Sequence, residues 1–366
     1  MKVLVIGPLV PPVDGCSFAN EILIKNLSAN GIQHEKINTN TPVISSNQGN
    51  RFSLVKAASF LKTYLSLPKV ISADIAYFTP GQTFFGILKY APFILFCIAL
   101  NKPYVIHIHG NYLGKAYSRL KGLKKKIFAS LISHAAAGIV LSISLKKNFA
   151  QLLSDDKIFI VENFADNSLY NDKNFPKPTD KPRIIYLSNL MLEKGIIDFL
   201  DALLMLKNLK VKFSAIIAGH IEDSISTIVN QKIEQIGESA EYVGSIFGSQ
   251  KKEKLLQSNI FILPTYYKME GQPISIIEGL ATGNIIVTTP HAGIPDILDS
   301  SNGFFVSPCD PGSIADTIKI IGENLEANIN RFSKHNAEYA ASKFTESIFS
   351  SNVISVLKFA HSQKNR

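Results

Sequence analysis

The chain has 366 residues, 46% hydrophobic and 18% charged, with 22 Gly and 17 Pro spread along it. That composition excludes a disordered chain and a fibrous repeat and leaves a globular protein with room for two domains. The net charge of +9 is uneven: residues 1–163 hold 18 Lys+Arg against 7 Asp+Glu, a balance of +11, and residues 164–366 hold 20 against 22, a balance of −2.

The opening segment MKVLVIGPLVPP has one lysine and a short apolar run stopped by proline. It fits a first buried strand, Val3 to Ile6, and is too brief for a signal sequence. The next segment, PPVDGCSFANEILIKNL, puts Gly15 before a helix opening around Ser17. A glycine there either lets backbone approach a phosphate or sugar, or simply makes the turn. Further strands are expected at Ile75 to Phe78, Tyr104 to His109, Gly138 to Leu141 and Ile158 to Val161. The longest apolar run, Tyr90 to Leu100, is well short of the about 20 residues a spanning helix needs.

Between Ile75 and Ser154 there is no acidic residue, while ten Lys and Arg residues fall there. Within this stretch Lys115 to Ala135 spaces Leu120, Leu123, Ile127, Leu131 and His134/Ala135 at helical intervals and predicts one amphipathic helix. Its basic residues Lys115, Arg119, Lys121, Lys124, Lys125 and Lys126 suit an anionic membrane surface, and its apolar side equally suits packing into the domain. Nucleic acid is not an expected partner, because only five of the 38 basic residues are Arg, Trp is absent and no nucleic-acid motif occurs.

Asn163 to Lys181, rich in Asn, Asp, Lys and Pro, reads as an interdomain linker. The strand pattern then restarts at Ile184 to Leu187, Phe213 to Ala218, Tyr242 to Val243, Ile260 to Leu263, Ile285 to Thr288 and Phe304 to Val306. Short apolar strands alternating with helices predict two parallel α/β units facing across a cleft, with ligands beyond the carboxyl ends of the strands. The expected division is residues 1–163, a linker at 164–182, a second domain at 183–345 and a last helix at 346–366. Helical spacing runs from Asn330 to Ala360. The three cysteines, Cys16, Cys97 and Cys309, lie far apart without CxxC or Cys/His pairing, so a reducing compartment and no structural zinc are expected.

After the strand Ile260 to Leu263 the chain reads PTYYKMEGQPISIIEGLATGNIIVTT. Pro273 suits the first turn of a helix, which places Glu270 in the preceding loop and Glu278 in the second helical turn. The amides of Gly271 and Gln272 then face a diphosphate, and a carboxylate there accepts hydrogen bonds from sugar or ribose hydroxyls. The plainer reading is a glutamate meeting the helix dipole and another solvated on the helix. Lys194, in SNLMLEKG after the strand Ile184 to Leu187, either sets a point charge against a diphosphate or is a surface lysine in a turn. His107 and His109 share a side of their strand.

As a set, Glu270-Gly-Gln-Pro with Glu278-Gly-Leu-Ala-Thr-Gly, Ile184-Ile-Tyr-Leu-Ser-Asn-Leu-Met-Leu-Glu-Lys-Gly195 and Ile106-His-Ile-His-Gly110 resembles the retaining glycosyltransferases of family 4, which have the GT-B fold. The resemblance implies that Glu270 lies near the transferred sugar, that Glu278 binds the nucleotide ribose and that His109 contacts the donor sugar, leaving His107 in the core. Gly15 would belong to a donor-phosphate or acceptor loop, and the loop Gly244-Ser-Ile246 would cradle the base through its backbone. The family commonly has Arg where this chain has Asn189, so Asn189 is assigned only a polar contact and Lys194 holds the diphosphate with helix amides. The resemblance further implies retention of configuration, a UDP- or GDP-linked sugar as co-substrate, and C-terminal helices crossing back onto the first domain. No cofactor and no metal are expected, and no DxD occurs in the chain.

With the basic first half, the expected acceptor is a lipid-linked saccharide in assembly of a bacterial surface polysaccharide. The expected location is cytoplasmic, peripheral on the inner face of the cytoplasmic membrane. A GT-B-shaped epimerase or hydrolase and an inactive membrane-surface binding protein are the alternatives.

Overall fold

The computed structural model describes residues 1–40, 61–170 and 176–363. Residues 171–175 of the expected linker, 364–366 of the expected last helix and 41–60 lie outside the described residues. The chain forms two compact units: Met1–Asn163 with Met269–Gln272 and Glu346–Arg366, and Phe164–Lys268 with Pro273–Thr345.

The first unit is a parallel sheet in the order β2-β1-β3-β4-β5-β6. Its strands are β1 Val3–Gly7, β2 His34–Asn38, β3 Ile75–Phe78, β4 Tyr104–Ile108, β5 Ala137–Val140 and β6 Ile158–Ile160. Every residue of β1, β3, β4 and β5 is buried, as expected of apolar strands covered on both faces. The sequence pattern misses β2, HEKIN, because it is an edge strand in which only Ile37 is buried. Among the described residues its helices, besides a C-terminal one, are α1 Gly15–Ala29, α2 Lys69–Ser72, α3 Phe84–Leu88, α4 Ala91–Ala99, α5 Leu113–Arg119 and α6 Gly122–Ser133.

The single basic helix expected over Lys115 to Ala135 is instead two helices, α5 and α6. Leu120 and Lys121 are extended and Gly122 takes φ +56°, a left-handed conformation that glycine adopts without a Cβ clash and that ends helical propagation. The rotation this introduces turns Leu123 outward, 71% exposed, although the spacing placed it on the apolar stripe.

The second unit is also parallel, in the order β12-β11-β10-β7-β8-β9. Its strands are β7 Arg183–Leu187, β8 Ser214–Ala218, β9 Ala240–Gly244, β10 Ile260–Leu263, β11 Ile285–Thr288 and β12 Gly303–Phe305. Its helices are α7 Ile196–Asn208, α8 Ser226–Ile236, α9 Gly248–Gln257, α10 Ile274–Ala281, α11 Pro311–Glu323 and α12 Leu325–Lys343. The segment from Phe164, read as linker, packs into this unit. Phe164, Ala165 and Leu169 are buried, and the buried Lys177 ammonium donates to the carbonyls of Leu255 (3.0 Å) and Ser258 (2.6 Å) and to Asn284 Oδ1 (3.2 Å). Its few apolar residues carry no period, which is why the sequence conceals the packing.

The helical run expected from Asn330 breaks at Phe344, where ψ is 43°. The last helix, α13 Glu346–Ser362, packs on α1, β3 and β4 of the first unit. Each sheet changes winding direction once, between β1 and β3 in the first unit and between β7 and β10 in the second. Loops beyond the carboxyl ends of the strands at such reversals are where open α/β sheets bind ligands.

Candidate active site

In the first unit, alternation along β4 brings His107 and His109 to one side. Their rings stack with centroids 4.1 Å apart. His107 is fully buried, with Nδ1 2.6 Å from the Tyr77 hydroxyl and Phe349 across its ring. Burial, reinforced by His109, holds its pKa well below the ordinary value, so it is a neutral core residue.

His109 directly follows β4, one residue beyond the strand the sequence predicted it to end, and is half-buried. Both of its ring nitrogens are shielded from solvent and neither has a hydrogen-bond partner among the described residues. Burial pushes its pKa down to about 4, so at neutral pH the ring presents one N–H and one lone pair, both unmet. An unmet buried polar group costs about 1–3 kcal/mol, and a ligand hydroxyl, which both donates and accepts, would relieve it.

The loop carrying Glu270 is fastened beside this histidine. Gln272 Oε1 accepts from the Asn163 N–H at 2.5 Å, Asn163 Nδ2 donates to the Gln272 carbonyl at 2.7 Å, and Gln272 Nε2 donates to the Leu141 carbonyl at 3.3 Å. Gln82 receives the Tyr112 N–H at 2.6 Å and donates to the Met269 carbonyl at 3.5 Å. Two glycines permit the approach: a Cβ on Gly110 would lie 2.3 Å from the Met269 carbonyl oxygen, and one on Gly271 would lie 2.4 Å from that of His109. Glu270 is buried within this arrangement, 7% exposed. The Gln272 side chain is thus committed to holding the loop, and only its backbone remains for a diphosphate.

Gly15 is the exposed first residue of α1. The helix end it opens is closed by a capping box: Asp14 Oδ1 accepts from the Ser17 N–H and Ser17 Oγ from the Asp14 N–H, both at 2.8 Å. A carboxylate therefore already meets the positive end of α1, which weighs against a donor phosphate at Gly15.

In the second unit, β7 and β10 place two loops side by side. Tyr266 N–H donates to the Glu193 carbonyl at 2.8 Å, and Gly195, φ +75°, packs so closely that a Cβ would meet the Pro264 carbonyl oxygen at 2.3 Å. Lys194 closes the turn Leu192–Lys194, its ammonium 5.3 Å from the centroid of the Tyr267 ring. Asn189 is exposed on the same loop. Helix α10 begins at Ile274, with Pro273 as an N-cap that offers no side-chain hydrogen bond, one residue later than the sequence placed it because Pro273 keeps an extended ψ of 120°. The Ile276 N–H bonds back to the Pro273 carbonyl at 3.2 Å, and no side chain caps the amides that precede it.

Glu278, in the second turn of α10, is 4% exposed and ion-paired with Lys251 of α9. It is not a solvated helix residue. Gly244, φ +69°, ends β9, and its carbonyl accepts from the Gly219 N–H at 2.8 Å. The Ile246 side chain is buried in the core, so it cannot itself meet a base, whereas the backbone of the loop and the exposed Ser245 can. Among the described residues no group of three or more His, Cys, Asp and Glu could hold a metal ion.

Residues 170–338 match the family model of glycosyl transferases group 1. That segment holds Asn189, Lys194, Gly244, Glu270 and Glu278. The chain is 23% identical over 224 residues, 59% of its length and 54% of the relative, to the "Putative teichuronic acid biosynthesis glycosyltransferase TuaC" of Bacillus subtilis. It is 24% identical over 173 residues, 46% of its length and 42% of the relative, to the N,N'-diacetylbacillosaminyl-diphospho-undecaprenol alpha-1,3-N-acetylgalactosaminyltransferase of Campylobacter jejuni. The chain thus spans about half the length of the curated relatives it matches. The crystal structure of Anabaena HepE in complex with UDP superposes with a TM-score of 0.72 at 15% identity, covering 98% of this chain and 100% of that one. The fold is that of the GT-B glycosyltransferases, built from two Rossmann-like halves.

Sequence reasoning missed Asn163, Gln82 and Lys251. Each acts on a residue remote in sequence, 109 positions away for Asn163 and Gln272, and no local spacing signals such a pairing.

Proposed function

We propose that the protein transfers a sugar from a UDP- or GDP-linked donor to an acceptor hydroxyl with retention of configuration and without a metal. In this reading Glu278, held by Lys251, accepts from the ribose hydroxyls, while backbone of the Gly244–Ile246 loop meets the base. Lys194 and the amides opening α10 take the diphosphate. As the glycosidic C–O bond breaks, the electron pair leaves with the diphosphate, and Lys194 stabilises the charge that grows there. The acceptor oxygen then bonds to the anomeric carbon from the face of departure, its proton passing to the departing phosphate. His109, as a neutral imidazole, positions the sugar, and Glu270 faces the reacting carbon.

The observation that carries this reading is the pair of unmet imidazole nitrogens on His109 beside the clamped Glu270 loop. The UDP bound by HepE and the undecaprenol-linked diphosphate named for the Campylobacter relative support a nucleotide donor and a lipid-linked acceptor in bacterial surface polysaccharide assembly. Such an acceptor would draw the protein to the inner face of the cytoplasmic membrane. Among the described residues no helix is long and apolar enough to cross a membrane.

The test is incubation with UDP- and GDP-sugars, with and without a polyprenyl-diphosphate saccharide, following release of nucleoside diphosphate. Acceptor-dependent release that disappears in Glu270→Ala is expected. Release independent of acceptor would instead make the protein a hydrolase, and wild-type turnover by Glu270→Ala would remove that residue from the chemistry.

A further inference from the structure

The first unit leaves large apolar side chains in water on one helical layer, and the same layer is basic. Helix α6 packs against both α3 and α4, with the Lys124 ammonium 5.9 Å from the centroid of the Phe84 ring. The inward residues are Phe128, Leu131 and Ile132 of α6 and Phe93, Ile94 and Cys97 of α4, all buried. On the outer side Leu123 is 71% exposed, Phe85 55% and Leu95 54%. Leu123 and Lys126 are three apart on α6 and therefore neighbours on its surface. Lys121, Lys124 and Lys126 are exposed, as are Lys115 and Arg119 of the preceding helix.

Nothing on this layer offsets the charge. No acidic residue occurs between Ile75 and Ser154. Elsewhere in the unit Glu35 pairs with Lys2 and Lys69, Asp155 with Lys146, and Glu346 with Lys25. A protein partner for so basic a face would have to be strongly acidic and apolar together, whereas an anionic bilayer offers phosphates above hydrocarbon at the depth these side chains reach.

We propose that this layer docks on an anionic phospholipid bilayer, with Leu123, Phe85 and Leu95 entering the interfacial region while Lys121, Lys124 and Lys126 pair with lipid phosphates. The short loop after β3 and the Gly110–Tyr112 turn, joined through Gln82, belong to the same end of the sheet as the start of α3 with Phe85, the end at which His109 follows β4. A lipid-borne acceptor would then reach the site by lateral diffusion. The docking extends the reading above and is tested apart from it, since vesicle binding needs no nucleotide and nucleotide binding needs no vesicle.

The full chain is sedimented with vesicles of phosphatidylcholine alone and of phosphatidylcholine containing phosphatidylglycerol. Binding only to the second is expected. Replacing Lys121, Lys124 and Lys126 together with Ser should lower the partition coefficient on the order of a hundredfold, about fivefold for each lysine. Leu123→Ser should lower it about tenfold in high salt as well as low, because apolar insertion is not screened. All three lysines and Leu123 are exposed, so the variants should melt with the wild type and keep its stabilisation by UDP or GDP. Equal binding to both vesicle types, no binding to either, or wild-type binding by both variants would overturn the docking. Absence of any nucleotide effect with intact vesicle binding would overturn the transferase reading alone.

Discussion

The state of His109 sets a pH dependence that can be worked through from the structure. Its imidazole titrates at about 4 in the folded chain, because burial disfavours the cation, against 6.5 ordinarily. Between those values the unfolded chain binds a proton that the folded chain refuses, so stability rises with pH across this window and is lost as pH falls from 6.5 towards 4. At about 1.4 kcal/mol per pH unit the window amounts to about 3 kcal/mol. The perturbation is His109→Gln, which removes the titrating group and keeps a polar side chain. Urea unfolding of both proteins at a series of pH values measures the difference. His107 and the carboxylates stay in both and largely cancel. The wild type should lose about 3 kcal/mol relative to the variant on acidification through the window. A difference that stays flat with pH would refute the argument that the His109 ring is held neutral by burial.

Removing Lys251 by Lys251→Met leaves the buried Glu278 carboxylate without its cation and should cost about 3–5 kcal/mol in urea unfolding, most of it regained in the double variant with Glu278→Gln. Gly271→Ala sets a Cβ 2.4 Å from the His109 carbonyl oxygen. It should destabilise by about 1–3 kcal/mol and shift the Glu270 loop, lowering kcat in the transfer assay more than it raises KM for the donor. Asn163→Ala takes away the hydrogen bond from Asn163 Nδ2 to the Gln272 carbonyl while keeping the backbone N–H to Gln272 Oε1, and should cost about 1–3 kcal/mol, seen as a lower melting temperature with α10 intact by hydrogen exchange.

The central strands were legible because residues buried on both faces write continuous apolar runs, and β3, β10 and β11 have the bounds the sequence predicts. Edge strands write no such run: β2 has one buried residue, and β9 none. The break between α5 and α6 is made by extended backbone at Leu120 and Lys121 and a positive φ at Gly122, which helical spacing does not contain. In the candidate site the loop positions of Glu270 and Lys194 followed from strand ends and proline. What fixes the Glu270 loop did not, because Asn163 and Gln82 act through pairings made only once the sheets have formed. The ion pair of Glu278 with Lys251 joins two helices with β10 between them, and neither residue marks the other in sequence.

Calorimetric titration of UDP and GDP into the wild type and Glu278→Gln bears most directly on the nucleotide-sugar reading. One of the two nucleotides should bind saturably, and the variant should bind it about tenfold or more weakly, having lost a charged acceptor for the ribose hydroxyls. If neither nucleotide binds, or if Glu278→Gln binds as tightly as the wild type, the account of the second unit as the donor-holding half is contradicted.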